Sequence, residues 1–236
     1  MKMKKFAFVL LAVLSIALYS CFDDDGYSLG DYWLGFGIIQ TESDAYTIVL
    51  DDGDVLEVVA WNVHPDYYEW LEDGGRILVN FTILDDVSDE NGNIEKYLVK
   101  VNELSDVLMK GIMNITEENA DSIGNDPITV QEYWMTDSLL NFKLRYTGSY
   151  KTHFLNLVQD SNDPVTEDGA AKLELRHNAN DDEQAINFSA YVSFSLNSLR
   201  EAGTDVVSFQ VSSTDYEGIT HTFTEEFDYS DLDLPN

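Results

Sequence analysis

The sequence predicts an all-β protein in which a small OB-like barrel is followed by an antiparallel β-sandwich. In the second half of the chain, apolar and polar residues alternate from Leu140 to Tyr146 and from Phe188 to Leu196. This period of two is typical of strands with one face in water. The first half contains short β-branched segments separated by turn signals such as Asp51-Asp52-Gly53. One short helix, predicted between the third and fourth of five strands, matches the order of an OB-type barrel.

The N-terminal segment, residues 1–20, has the layout of a secretory signal peptide. Lys2, Lys4 and Lys5 form a basic head, and Phe6–Tyr19 is a run of 14 residues that is apolar except for Ser15. A membrane-spanning helix needs about 20 apolar residues, so this run is too short to remain as a permanent span. We therefore expect an exported protein.

Cys21, the only cysteine, follows the apolar run after one small residue, Ser20. With Leu18 and Ser20 before it, Cys21 resembles the lipobox of bacterial lipoproteins, and this resemblance implies a lipid-modified thiol. Several acyl chains would anchor the protein to a membrane permanently.

Residues 21–32 would then form an acidic tether. Three acidic residues in it resemble the signal that directs lipoproteins of some Gram-negative anaerobes to the outer face of the outer membrane; alternatively, they only keep the tether solvated. These residues are Asp23, Asp24 and Asp25.

Five strands are predicted for a barrel domain that spans residues 33–115. They are Trp33–Gln40, Ala45–Leu50, Asp54–Ala60, Arg76–Leu84 and Ile94–Val101. Between the third and the fourth strand, Pro65 suits the first position of a helix and Gly74 suits its C-terminal end. The last segment, Leu104–Ile115, is ambiguous because its apolar residues have helical spacing. They are Leu104, Val107, Leu108 and Ile112.

The polar segment 116–127 is predicted to link the barrel to a sandwich domain that spans residues 128–236. Many short strands with polar turns favour a β-sandwich over a barrel in this half. Besides the two alternating segments, the predicted strands include Thr152–Gln159, Lys172–His177, Val206–Val211 and residues 222–229.

The net charge limits the possible partners. The formal charge of the chain is −31, and removal of residues 1–20 leaves 10 basic and 44 acidic residues, a charge of −34. Nucleic-acid binding needs lysine and arginine along a phosphate path, so we expect no nucleic-acid partner. A cationic peptide or protein suits this surface better. The alternative is that the charge simply keeps an exposed protein soluble.

No arrangement of residues predicts a catalytic, metal or cofactor site, so we expect a protein that is not an enzyme. Residues Gly26–Gly30 match the G-x-S-x-G nucleophile elbow, but no strand precedes them. The four histidines are scattered and lack the spacing of zinc ligands. The acidic loops Asp160–Asp168 and Asn178–Glu183 do not have the spacing of a calcium loop.

Four aromatic residues between the third and fourth predicted strands form the candidate ligand contact. They are Trp61, Tyr67, Tyr68 and Trp70. Such residues stack on sugars or anchor peptide interfaces, but they also close the ends of barrels. Both interpretations remain open. Ser122 and Ser138 each follow an aspartate, in triplets that resemble acceptors for bacterial O-glycosylation.

The chain resembles the NigD-like lipoproteins over essentially its whole length after residue 20. The resemblance is carried by seven segments: Asp25–Trp33, Val49–Gly53, Asp121–Ile128, Tyr133–Trp134, Leu140–Phe142, Leu173–Ala179 and Val192–Leu196. It implies an N-terminal OB-like domain, a C-terminal β-sandwich and a role in the production of, or immunity to, a bacteriocin, and it supplies no catalytic residues. We therefore expect an outer-membrane or cell-surface lipoprotein that acts as a binding module. The alternative is an accessory glycan-binding lipoprotein of a surface uptake system.

Overall fold

The computed structural model describes residues 26–43, 45–200 and 203–230. The predicted signal peptide, Cys21 and the acidic residues Asp23–Asp25 lie outside the described residues. Among the residues that are described, none forms a helix with the length and apolarity that crossing a membrane requires.

Five strands close into the OB-like barrel that the sequence predicts. They are β1 (Trp33–Glu42), β2 (Ala45–Leu50), β3 (Val55–Trp61), β4 (Arg76–Ser88) and β5 (Ile94–Asp106). The strand order around the barrel is β1-β2-β3-β5-β4, and β4 pairs back onto β1. Within the barrel, β3 and β5 are the one pair of neighbouring strands that runs parallel. Inward-facing aliphatic residues from all five strands, among them Ile39, Ile48, Leu56, Ile77 and Val99, fill the core.

The helix predicted between the third and fourth strands is wrong in extent. Only a 3₁₀ turn forms, at Pro65–Tyr67, with the ring of His64 accepting a hydrogen bond from the Asp66 N–H. After the turn, the side chains of Tyr68, Trp70 and Leu71 all pack against the barrel core. Residues two positions apart point to different sides of an α-helix, so a helix could not place this set on one surface.

The barrel ends earlier than the predicted boundary at residue 115. After β5 the chain forms β6 (Leu108–Gly111) and β7 (Met113–Ile115), and these strands join the two sheets of the sandwich. The helical spacing in this segment was therefore misleading. The segment instead adds one parallel strand to the edge of each sheet, where pairing satisfies backbone groups that a helix would have satisfied internally.

The predicted linker is also part of the sandwich. It contains a short helix, α1 (Ala120–Ile123), whose Ile123 side chain is buried. Gly124 follows with a φ of 72°, and a Cβ there would lie 2.6 Å from the Asn178 Cβ. Asn178 also donates a hydrogen bond to the Ser122 carbonyl oxygen at 2.8 Å. These contacts leave the segment no freedom to act as a spacer.

The remaining strands complete a sandwich of two sheets, one ordered β14-β13-β11-β10-β7 and the other β6-β12-β9-β8. The strands are β8 (Thr129–Thr136), β9 (Leu139–Gly148), β10 (Phe154–Asp160), β11 (Ala171–Asn178), β12 (Ile186–Ser195), β13 (Val206–Thr214) and β14 (Thr220–Asp228). Alternate residues of β9 and β12, such as Leu140, Phe142, Val192 and Phe194, are fully buried between the sheets. The alternation in the sequence therefore identified the core correctly.

A buried arginine joins the barrel to the sandwich. The Arg76 side chain is 1% exposed and forms a two-pronged ion pair with Asp51 of the barrel. The same guanidinium donates to Asn141 Oδ1 at 3.1 Å and to Ser193 Oγ at 3.2 Å in the sandwich. Beside it, the Phe36 ring packs between aromatic rings of the sandwich. These contacts fix how the two domains meet.

Candidate binding pocket at the open end of the barrel

The barrel is open at the end where β1 begins. Inward-facing positions of β1 are Trp33, Gly35, Gly37 and Ile39, so two successive positions have no side chain. A Cβ on Gly35 would lie 3.0 Å from the Leu50 side chain, which occupies that space. Beyond Leu50 a cavity of about 310 Å³ remains. Its apolar walls are Trp33, Leu50, Leu56, Phe81, Ile83 and Tyr97.

The hairpin between β2 and β3 places carboxylates on the rim of this pocket. Asp51, Asp52 and Asp54 all line it, but Asp51 is turned toward Arg76. Burial raises the pKa of Asp54, and the negative charge of Asp52 raises it further. No ion pair formed within the described residues includes Asp52 or Asp54. The rim therefore carries negative charge that the described part of the chain leaves uncompensated.

Two tyrosines stand beside this rim. The rings of Tyr97 and Tyr27 meet edge to face, with centroids 6.2 Å apart. Burial raises the pKa of Tyr97, and the charges of Asp54, Asp86 and Asp52 raise it further. The Tyr97 phenol is therefore neutral at neutral pH. On the neighbouring wall, Trp33 stacks on Phe81 with centroids 6.2 Å apart.

Part of the predicted tether is held against the barrel. The Asp31 carbonyl oxygen accepts a hydrogen bond of 3.0 Å from the Thr82 hydroxyl of β4. Ser28, the central residue of the G-x-S-x-G match, lies in a turn in which its hydroxyl accepts a hydrogen bond from the Gly30 N–H. The described residues before β1 form no strand, so the nucleophile-elbow context is missing there.

The four aromatic residues proposed as a ligand contact lie at the other end of the barrel. From Leu56 on the pocket wall to Trp61, β3 advances five residues, about 17 Å. Trp61, Tyr68 and Trp70 are half-buried and pack against the barrel core, whereas Tyr67 is 80% exposed. Three of the four thus close this end of the barrel, and the structure brings none of them to the pocket.

The histidines are less scattered than the sequence indicated. His153 Nδ1 lies 2.8 Å from His177 Nε2, and His153 Nε2 lies 3.2 Å from a carboxylate oxygen of Asp182. The second ring nitrogen of His177, Nδ1, lies 2.9 Å from the Pro127 carbonyl oxygen, which completes a row of three hydrogen bonds. A carbonyl and a carboxylate only accept hydrogen bonds. The Pro127 carbonyl therefore accepts from His177 Nδ1–H, and the Asp182 carboxylate accepts from His153 Nε2–H.

The pKa values of these buried groups are shifted by burial and by their hydrogen bonds to one another and to the backbone. Burial lowers the pKa of His177, against the opposing effect of its hydrogen bond to Pro127. Burial alone would raise the pKa of Asp182, but hydrogen bonds from the Ser149 N–H and from His153 lower it to about 2. Every ring nitrogen of the two histidines already has a partner, so none is free to bind a metal ion. The described residues contain no other group of histidine, cysteine or acidic side chains suited to a metal.

The two candidate glycosylation sites differ in access. Ser122 is exposed on α1 and donates a hydrogen bond to the Asn119 carbonyl oxygen at 2.9 Å. Ser138 is half-buried in the turn between β8 and β9. Glycosylation at either residue stays a prediction.

Comparison with known proteins gives one family. The family model described as "NigD-like C-terminal beta sandwich domain" matches residues 111–227. None of the curated proteins is significantly similar to the chain.

Solved structures resemble both domains together. A protein from Parabacteroides distasonis that was proposed to be toxin-related is 30% identical, with a TM-score of 0.68 over 85% of this chain and 95% of that one. A NigD-like immunity protein from Bacteroides caccae is 18% identical, with a TM-score of 0.62 over 86% and 99% of the two chains. A protein from Bacteroides fragilis that was proposed to be a lipoprotein is 11% identical, with a TM-score of 0.58 over 85% and 99%. At their identities the last two share the fold alone.

Proposed function

Since the chain belongs to the NigD-like family, we propose that it is a lipid-anchored, non-catalytic binding module at the bacterial cell surface whose ligand is a cationic peptide or protein. The observation that carries this proposal is the pocket at the open end of the barrel, where apolar walls meet carboxylates that have no described counter-ion. An acidic rim on an apolar pocket favours a ligand that has both apolar surface and positive charge.

The proposed location depends on the N-terminal segment. A short apolar run that is followed by one small residue, a cysteine and an acidic stretch is the layout of an exported lipoprotein. A neighbour in fold that was itself proposed to be a lipoprotein is consistent with this. Replacement of Cys21 by Ser should release the protein from the envelope fraction into the soluble fraction. Proteolysis of intact cells should digest the wild-type protein if it faces outward.

A bacteriocin is one class of partner that fits. One neighbour in fold is described as an immunity protein, and capture of a toxic peptide or protein outside the cell would be one way to confer immunity. Many membrane-active peptides combine lysine or arginine with apolar residues on one helix. The glycan alternative has less support, because three of its four aromatic residues are packed into the barrel.

The proposal is tested with the mature chain, residues 21–236, in detergent. The probe is a lysine- and leucine-rich amphipathic peptide of about 20 residues, and the control is the same peptide with every lysine replaced by glutamate. We expect only the lysine peptide to bind, and its affinity to fall steeply between about 20 mM and about 300 mM salt because the charges are then screened. Equal binding of both peptides, or binding that salt does not change, would contradict the proposal.

A further inference from the structure

We infer that the pocket at the open end of the barrel holds a single lysine or arginine side chain of the partner, with the aliphatic stem between Trp33 and Tyr97 and the charged end at Asp52 and Asp54. This inference rests on the proposed function and specifies which contact carries it. The cavity of about 310 Å³ is at the lower end of the size range of ligand pockets, about 300–1,000 Å³. It therefore suits one long side chain rather than a folded ligand.

The walls of the pocket suit the stem of such a side chain. Leu50, Leu56 and Ile83 form the apolar floor, and the rings of Trp33 and Tyr97 stand on the sides. Lysine and arginine commonly bury their methylene groups along apolar surface while the charged end stays near water. A cation next to a tryptophan or tyrosine face gains a further attraction from the ring.

The rim selects the charge of the occupant. Asp52 and Asp54 stand at the mouth, and Asp86 lies directly across from Tyr97 in the register of β4 and β5. Burial raises the pKa of Tyr27 beside this edge, and the nearby Asp86 carboxylate raises it further. A phosphate or carboxylate would be repelled by these groups, and a neutral apolar side chain would gain nothing from them. A basic side chain compensates carboxylates that no described basic residue reaches.

The hairpin itself gives the rim its shape. Gly53 has a φ of 90°, which a residue with a side chain adopts only with strain, and its N–H donates to the Leu50 carbonyl oxygen at 2.9 Å. The Asp52 carboxylate accepts a hydrogen bond of 3.1 Å from the Asp54 N–H. Asparagine retains this acceptor, so Asp52→Asn and Asp54→Asn remove charge without removing the turn.

The experiment uses the mature chain and short synthetic peptides with blocked ends. The sequence is Gly-Leu-Xaa-Leu-Gly, in which Xaa is lysine, arginine, norleucine or glutamate. Norleucine matches the lysine stem but lacks the ammonium group, so it separates the effect of charge from that of apolar contact. Binding is measured by calorimetry and by tryptophan fluorescence, since Trp33 lines the pocket.

The variant with a modified rim is Asp52→Asn/Asp54→Asn. Its matched control is Glu117→Gln/Glu118→Gln, which removes the same charge from two exposed residues of the sandwich. We expect the lysine and arginine peptides to bind about fivefold to tenfold less tightly to the rim variant, and less than about twofold less tightly to the control. The norleucine peptide should bind the wild-type protein as weakly as the lysine peptide binds the rim variant. Trp33→Leu should remove the fluorescence change.

Three results would overturn the inference. They are equal binding of the lysine and norleucine peptides, equal losses in the rim variant and the control, and the absence of binding by any short basic peptide. None of these by itself contradicts the proposed function, which is judged separately by the long lysine- and leucine-rich peptide. If that peptide binds and its affinity is the same for the rim variant and the wild-type protein, the partner is cationic but the pocket is not its site.

Discussion

Loss of the Asp51 charge should destabilise this protein more than loss of its buried partner, Arg76. In Asp51→Asn the guanidinium keeps its charge at a position where the side chain is 1% exposed. Its contacts with Asn141 and Ser193 remain, but both are bonds to neutral groups. A buried charge that loses its partner typically costs about 3–5 kcal/mol. We expect Asp51→Asn to lower the free energy of unfolding by that amount.

Arg76→Met should cost less, about 1–3 kcal/mol. The Asp51 side chain that it leaves behind is 21% exposed, so water can solvate the carboxylate. In the sandwich, the Ser193 hydroxyl already donates to Asn141 Oδ1 at 2.6 Å, and that bond does not depend on the arginine. The double variant should cost less than the sum of the two single variants, because the unpaired charge is then absent.

Urea denaturation followed by tryptophan fluorescence measures these differences. The Trp134 indole lies 3.4 Å from an Asp51 oxygen, so its emission reports on the interface directly. With a urea dependence of about 2–3 kcal/mol per molar, Asp51→Asn should lower the midpoint by about 1–2.5 M. If Asp51→Asn shifts the midpoint by less than Arg76→Met, the ion pair does not carry the stability assigned to it here.

Three further predictions concern the fold. Gly124→Ala should destabilise the protein by more than Gly92→Ala in urea denaturation. Both residues have positive φ, and the backbone strain of an alanine there costs about 1–3 kcal/mol in either variant, but only at residue 124 would the new Cβ also press against a neighbouring strand. Trp61→Ala should lower the unfolding midpoint clearly, whereas Tyr67→Ala should change it little because that ring is exposed; equal effects would contradict the packing described. The pKa of His177 in the folded protein is lowered below its usual value of about 6.5. As the pH decreases, the unfolded chain therefore takes up a proton at this residue at a higher pH than the folded chain does, and the free energy of unfolding should fall below about pH 6.5. The decrease should be smaller in His177→Asn.

The strands could be predicted from the sequence because their signal is local. Alternation along β9 and β12 follows directly from one face packing on the opposite sheet. The segment 104–115 could not be predicted in this way. Its apolar residues fit a helical period by chance. Leu104 continues β5, whereas residues 108–115 pair with two sheet edges whose partner strands, β10 and β12, lie far along the chain. Pairing over such separations is a tertiary effect that no local pattern contains.

The pocket was missed for a related reason. The sequence Trp33-Leu34-Gly35-Phe36-Gly37 does carry a signal, since glycines at alternate positions of a strand leave space on one face. Whether that space becomes a cavity depends on the closure of β1 onto β4, which brings Trp33 opposite Phe81. The histidine pair likewise depends on register, because His153 and His177 meet only once β10 pairs with β11.

The position of Asp51 connects the fold to the proposed site. Asp51, Asp52 and Asp54 belong to one short hairpin, in which the first binds the interdomain arginine and the other two form the rim of the pocket. The Asp51 N–H also donates to the Phe36 carbonyl oxygen at 2.9 Å, and the Phe36 ring packs against the sandwich. The sandwich therefore holds the hairpin that carries the carboxylates. A rim fixed before binding loses less entropy when a ligand arrives, so the second domain would contribute to affinity without touching the ligand.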